Sequence, residues 1–264
     1  MPIITISRGS YHHAKSVAEK LAARLGYPCL SRDELIDSLE EFHLPEIKLV
    51  RGLKDSFSIL DRFSHGKQRF VTAITSSVLQ HFLPGNVVFH GLAGHYFVRD
   101  VSHVLKVRII ADIDNRVADE MHRSNISEEQ AYFLLKNDDE ERRKWGMFLH
   151  GVDIVDPQHY NLIVNIGEIS EEEAVELIAT TAGFERFQET EQSQKTLGDM
   201  ALSALIRTRL LDYPNVSVSV QDSNALISLK APESQQGIIR ERIVQMLDGI
   251  STMKECTFRF DPYF

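Results

Sequence analysis

Ile3-Ile4-Thr5-Ile6-Ser7-Arg8-Gly9-Ser10-Tyr11-His12-His13-Ala14-Lys15-Ser16, residues 3–16, is the stretch whose reading decides the fold. Its first five residues form a β-branched run, the composition of a buried strand. Beyond it Val17, Leu21 and Leu25 recur at four-residue spacing, with Ala18 and Ala22 beside them, which predicts a helix. Gly26 ends that helix and Pro28 prevents its continuation. Between strand and helix, Gly9–Ser16 matches the pattern G-x-x-x-x-G-K-[ST] at seven of eight positions, with Ala14 in place of the second glycine. In such a turn consecutive backbone N–H groups curl around a phosphate and the helix dipole adds to the attraction. Lys15 would neutralise the terminal phosphates, and the Ser16 hydroxyl would be the Mg²⁺ ligand.

Ala14 leaves two conformations open. If the position needs a positive φ, alanine costs about 1 kcal/mol or more; if it is helical and need only be small, alanine is tolerated. His12 and His13 fall at the tip of the turn and are read as solvated, or as donating one hydrogen bond each to phosphate.

Working outward, strands are expected at 2–7, 28–30, 87–90, 104–111 and 160–166. Ser31 with Glu34 makes a capping box for a helix to about Phe42. Residues 45–83 read as largely helical, helices follow at 114–123 and 127–148, and Ser170 caps another through about Ala182. Strands separated by helices predict a parallel α/β sheet of five strands flanked by helices, with ligands at the carboxyl ends of the strands. Residues 185–196 are polar without an apolar period and read as a linker. After it come a helix at 197–211, alternation at Val216, Val218 and Val220, a turn at Asp222-Ser223-Asn224, a second alternating run to Lys230, a helix at 238–247 and a strand at 253–260. The expected division is 1–184 as a nucleotide-binding domain, 185–196 as linker, and 197–264 as a small α-β-β-α-β domain.

The composition narrows function. The chain of 264 residues carries a net charge of −9, which argues against a general nucleic-acid or anionic-membrane binder. No apolar run is long enough for a membrane span and no signal-peptide pattern is present. Two distant cysteines, Cys29 and Cys256, provide neither a disulfide framework nor zinc spacing. A cytoplasmic location is expected.

Taken together, residues 2–183 resemble the cytidylate-kinase-like family of bacterial P-loop kinases. The resemblance lies in ITISRGSYHHAKSVAEKLAARLGY, LSRDELI, VVFHGLAGHYF, HVLKVRIIADIDNRV and KNDDEERRKWGMFLHGVDIVDPQHYNLIVNIGEISEEEAV. It implies a nucleoside-monophosphate-kinase fold and phosphoryl transfer from ATP with Mg²⁺, with CMP or dCMP as the default acceptor. Carried over by position, Gly9, Ser10, Tyr11, His12, His13, Ala14, Lys15 and Ser16 fall on the phosphate loop. Asp33 falls where an acidic residue faces the acceptor. Arg116, Arg123, Arg142 and Arg143 fall on helices flanking a lid, with Asp139 and Arg142 matching its D-x-x-R pattern. Phosphoryl transfer is chiefly positioning and charge neutralisation, which gives such arginines a role. A solvated, salt-bridged helix face is the alternative for 138–144. Two departures concern the acceptor and the loop. Leu92 stands where the family carries an acceptor-binding arginine, which leaves Arg51 and Arg62 as replacements or as surface residues. Tyr11–Ala14 stand where many members carry small residues and glycines.

Residues 197–260 resemble the BON domain, a small α/β module. That implies a ligand-sensing or partner-binding role, or a structural or dimerising one. Three functions stay open: a nucleoside-monophosphate kinase, a nucleotide-binding sensor that has lost turnover and signals through the C-terminal domain, and a kinase for another small phosphate acceptor.

Overall fold

The computed structural model describes residues 2–39, 65–91, 93–213 and 215–261, so Arg51, Arg62 and Leu92 lie outside the described residues. In chain order the elements are β1 (Ile3–Arg8), α1 (Tyr11–Leu25), β2 (Cys29–Ser31), α2 (Arg32–Ser38), α3 (Gly66–Phe82), β3 (Val88–His90), β4 (Val104–Ala111), α4 (Ile113–Ser124), α5 (Glu128–His150), β5 (Leu162–Ile166), α6 (Glu171–Ala182), α7 (Glu191–Arg209), β6 (Ser217–Gln221), β7 (Asn224–Lys230), α8 (Glu233–Met246) and β8 (Glu255–Asp261). They form two compact units. One comprises Met1–Glu34 and Pro84–Thr190; the other comprises the described residues of Leu35–Leu83 and Glu191–Phe264.

The first unit is built on a five-stranded sheet in the order β2-β3-β1-β4-β5, with every pairing parallel. Near-continuous apolar strands suit a sheet covered on both faces. Ile4, Ile6, Val88, Leu105, Val107, Ile109 and Val164 are buried with Ala14, Val17, Ala18 and Leu21 of α1, and with Ala174, Val175 and Ile178 of α6. Each fully buried Val, Leu or Ile contributes about 1.5–3 kcal/mol. Because β1 lies between β3 and β4, the chain order reverses there and opens a crevice at the carboxyl end of β1.

Helix starts follow local chemistry. The Ser31–Glu34 capping box forms, with Ser31 N–H donating to Glu34 at 2.7 Å. Ser127 with Gln130 and Ser170 with Glu173 make two more. Gly26 ends α1 in the left-handed conformation at φ 68°.

The second unit holds the sheet β6-β7-β8, with β6 and β7 antiparallel and β7 and β8 parallel. Leu202 and Ile206 of α7, and Leu210 just after it, join Val218, Ile227 and Leu229 in its core. Two features of the segmentation differ from the sequence reading. The expected linker is largely ordered: a 3₁₀ turn spans Glu185–Phe187 and α7 already begins at Glu191. The segment before β3 also packs differently from expectation. Its helix α3 packs on α7. Leu197, Ala201 and Ala204 of α7 are buried besides its sheet-facing residues, a second covered face that α3 supplies.

Candidate functional site

The turn between β1 and α1 is two residues long. Gly9 and Ser10 both donate their N–H groups to the carbonyl of Ile109, at 2.8 and 3.1 Å. Glycine is required here by proximity: a Cβ on Gly9 would stand 2.8 Å from the Ile109 oxygen and 2.6 Å from Ile110 Cγ2. Tyr11 then opens α1, and by Ala14 the helical ladder is running, with Ala14 N–H donating to Ser10 O at 3.2 Å. The expected eight-residue cradle is therefore not formed. Ala14 takes the helical alternative and is fully buried in the core. With Tyr, His, His and Ala at 11–14, no residue holds the backbone in the glycine-favoured region, so the helix extends back to the strand.

The two side chains expected at phosphate and metal are elsewhere. Lys15 projects outward and pairs with Glu19 at 3.8 Å. The Ser16 hydroxyl donates to the carboxylate of Glu171, the first residue of α6. Glu171 also meets His13 Nδ1 at 2.9 Å and accepts from Lys20 at 2.7 Å. Burial alone would raise its pKa; the hydrogen bonds from Lys20, Ser16 and His13 outweigh that and hold it at about 2. On its other side His13 Nε2 lies 3.1 Å from Asp119. These residues do not fit Mg-ATP in the phosphate-loop manner, because the Gly9 and Ser10 amides, the lysine and the hydroxyl are otherwise engaged.

Beside the start of α1 lies a cavity of about 500 Å³, lined by Ser10, His12 and His13 and by Arg116, Asp119, Glu120, His122, Arg123, Leu135 and Asp138 of α4 and α5. Arg116 is nearly buried and makes a bidentate pair with Asp139, both bonds 2.9 Å. Asp139 also accepts from Arg142, which explains the i, i+3 D-x-x-R spacing: one carboxylate aligns two guanidiniums. Arg123 pairs with Glu120.

A second, small cavity of about 40 Å³ opens at the carboxyl ends of β1 and β3. That is room for about three waters or one small oxyanion. Its lining includes Ser7, Arg8, Arg32, Gly91 and Arg142. Arg32 lies over the Trp145 ring at 5.0 Å. Gly91 has φ +109° and a Cβ there would come within 2.9 Å of Arg8 Nη2. Arg108 donates to Ser7 Oγ at 3.3 Å and to Ile154 O at 3.0 Å, a further guanidinium bound to two of the lining residues. Burial, and then the Arg8 guanidinium, push neighbouring His90 down to about 4.

Of the expected residues, Ser10, His12, His13, Arg116 and Arg123 share the larger cavity, and Arg142 lines the smaller. Asp33 is exposed in the first turn of α2 and lines neither, and Arg143 is exposed and pairs with Asp153 at 2.8 Å. Sequence reasoning missed Arg8, Arg32, Asp119 and Glu171. Arg8 and Arg32 carried a usable signal, since each directly follows or ends a strand at its carboxyl end. Among the described residues no three His, Cys, Asp or Glu side chains are grouped to hold a metal, and no helix is long and apolar enough to cross a membrane.

Three solved structures align with this chain. The crystal structure of a protein from Eubacterium ventriosum ATCC 27560, described as uncharacterized, superposes with a TM-score of 0.55 at 19% identity, covering 69% of this chain and 97% of that one. Shikimate kinase from Bacteroides thetaiotaomicron aligns with a TM-score of 0.42 at 14% identity, covering 69% and 99%. Dephospho-CoA kinase from Campylobacter jejuni aligns with a TM-score of 0.35 at 14% identity, covering 68% and 96%. No curated protein matches by sequence. The model of the cytidylate kinase-like family matches residues 3–168, more than half of the chain, and the chain belongs to that family.

Proposed function

We propose that this chain binds a nucleotide-type ligand beside the start of α1 and does not transfer a phosphoryl group from a bound triphosphate, acting as a sensing member of its family. The observation that carries this reading is the start of α1 at Tyr11, with the Gly9 and Ser10 amides both spent on Ile109 O. Arg116, Arg123, His12 and His122 remain around the cavity to hold a ligand. The C-terminal residues 197–264, BON-like in pattern, would carry the output, by binding a partner or by dimerising, in the cytoplasm.

A second reading is favoured by the arginine-lined cavity. Arg8, Arg32 and Arg142 surround an oxyanion-sized space, as an acceptor-phosphate subsite would, with Arg8 and Arg32 serving where Leu92 replaces arginine. On that reading the chain is a phosphotransferase with CMP, dCMP or another small phosphate ester as acceptor. ADP formation from Mg-ATP across a panel of nucleoside monophosphates, measured beside ligand binding by thermal shift, separates the two. Binding without acceptor-dependent ADP supports the sensor. Acceptor-dependent ADP above the level of an Arg142→Ala variant refutes it and names the acceptor.

A further inference from the structure

The three-stranded sheet of the second unit has two edges of different character. At β6 the Val218 carbonyl accepts from Ser203 Oγ at 3.3 Å and from Arg207 Nη2 at 2.9 Å, so side chains of α7 engage the outward backbone of that strand. At β8 no strand or side chain among the described residues bonds to the outer edge. An open edge is a template for another strand, and proteins protect such edges with covering elements or with charges.

The register with β7 shows which groups that edge offers. Because Val218 turns its carbonyl to α7, the opposite residue Ile227 turns its backbone groups away from β6 and towards β8. Asp261 O, accepting from Ala231 N–H at 3.4 Å, has the same phase. In that phase Glu255, Thr257, Arg259 and Asp261 bond to β7, and Cys256, Phe258 and Phe260 direct N–H and C=O outward. The side chains of Cys256, Phe258 and Phe260 are half-buried against the core, with Arg240 of α8 over the two rings at 5.5 and 5.9 Å. Glu255, Thr257 and Arg259 are exposed on the opposite face.

The charges on this edge match one partner. Two copies of β8 placed antiparallel, with Thr257 on the two-fold axis, bring Cys256 opposite Phe258 in hydrogen-bonded pairs. They bring Glu255 opposite Arg259 in non-hydrogen-bonded pairs, where side chains approach most closely, on both sides of the axis. Moving the axis to Phe258 would oppose Glu255 to Asp261, two carboxylates. Arg259 is 65% exposed, and its contact within the chain, to Asp261, is 3.6 Å long.

We infer that Glu255–Asp261 pairs with the same strand of a second copy of this chain, joining two three-stranded sheets into one about a two-fold axis. The inference rests on the partner-binding or dimerising output proposed for residues 197–264, and names its surface and its partner. With the β6 edges held by α7, assembly closes at two copies.

The test is sedimentation velocity of the full chain from about 1 to 100 μM, beside Glu255→Arg, Arg259→Glu and the double variant. The unaltered chain is expected to dimerise within that range. Each single variant sets like charges opposite one another on both sides of the axis and is expected to weaken dimerisation at least tenfold, with Tm of the monomer unchanged. The double variant, with the two charges exchanged, is expected to restore the dimer. An equimolar mixture of the single variants is expected to form a heterodimer, because attractive pairs then arise between unlike copies. A monomer throughout would overturn the inference and leave the edge to a strand of another protein. Species that keep growing with concentration would overturn the closed pair. A dimer that persists in both single variants, or that the double variant does not restore, would place the interface elsewhere and overturn the inference. Thermal shift with AMP on the same samples reads the sensing role separately, and its failure beside a charge-dependent dimer would overturn that role alone.

Discussion

Lys15→Ala isolates the central structural claim. In a working phosphate loop the lysine contacts the terminal phosphates, and its loss removes a charge-assisted contact of about 2–4 kcal/mol, a thirtyfold or greater loss of affinity or rate. Here Lys15 is 48% exposed, 3.8 Å from the exposed Glu19, and is not part of the cavity lining. An exposed i, i+4 pair contributes about 0.3–0.5 kcal/mol. The expected outcome is therefore a loss of at most about 0.5 kcal/mol in urea unfolding and a change in ligand affinity below about twofold. Arg116→Ala provides the contrast. Its side chain is 7% exposed and its fork holds Asp139, so truncation leaves that carboxylate with Arg142 alone. Breaking such a pair costs about 3 kcal/mol where no partner remains and less here, and ligand affinity falls with it. Both variants are compared with the unaltered chain by urea titration and by thermal shift with AMP. If Lys15→Ala abolishes binding while Arg116→Ala does not, the first turn of α1 unwinds to a loop around ligand, and the reasoning from its helical start is refuted.

Three further outcomes follow from packing and charge. His95 is buried against Tyr96 and Tyr160, and burial pushes its pKa from 6.5 down to about 3. A lowered pKa means that the unfolded chain binds the proton first. The stability is therefore complete above pH 6.5 and falls as pH drops from 6.5 towards 3, by a few kcal/mol. His95→Phe should flatten that decline in urea midpoints between pH 7 and 4, and an unchanged slope would rule His95 out as its source. Gly94→Ala places a Cβ 2.3 Å from the buried Phe89 ring and is expected to cost about 2–3 kcal/mol, read as a lowered Tm. Ser127→Ala removes one half of the α5 capping box and is expected to cost about 1 kcal/mol by urea titration, with ligand affinity unchanged.

Much of the first unit was legible in the sequence because its signals are local. The β-branched runs at 3–7, 87–89 and 104–110 are the three central strands, and Ser31, Ser127 and Ser170 start helices where their partners three residues on require. The antiparallel β6–β7 hairpin likewise follows from alternation, with its turn at Asp222 and Ser223 in positive φ. What depends on distant residues was not legible. The periodicity of α3 shows that Phe70, Ile74 and Phe82 need a cover but not that α7 provides it. The motif at Gly9–Ser16 shows residue types but not that Glu171, more than 150 residues away in sequence, occupies its hydroxyl. Arg8, Arg32 and Arg142 each carry only a local signal in sequence, and they meet because the end of β1, the start of α2 and the middle of α5 come together around one cavity.

The substitutions at 11–14 link stability to ligand choice through one cause. Alanine, and to a lesser degree tyrosine and histidine, favour helix over glycine by about 0.3–1 kcal/mol per residue. With them α1 runs 15 residues from the end of β1 and buries Ala14 against the sheet. The same helical ladder removes the amides that a phosphate cradle would present, since from Ala14 onward each N–H is spent on a carbonyl four residues back. Only the N–H groups of the first helical turn, at Tyr11 to His13, are left facing outward, and His13 carries two carboxylates beside it. On the sensing role proposed above, the same hydrogen bonds that complete the helix lower triphosphate affinity. Placing glycines at His12, His13 and Ala14 should then lower Tm and raise triphosphate affinity together, and a lowered Tm with unchanged affinity would refute the link.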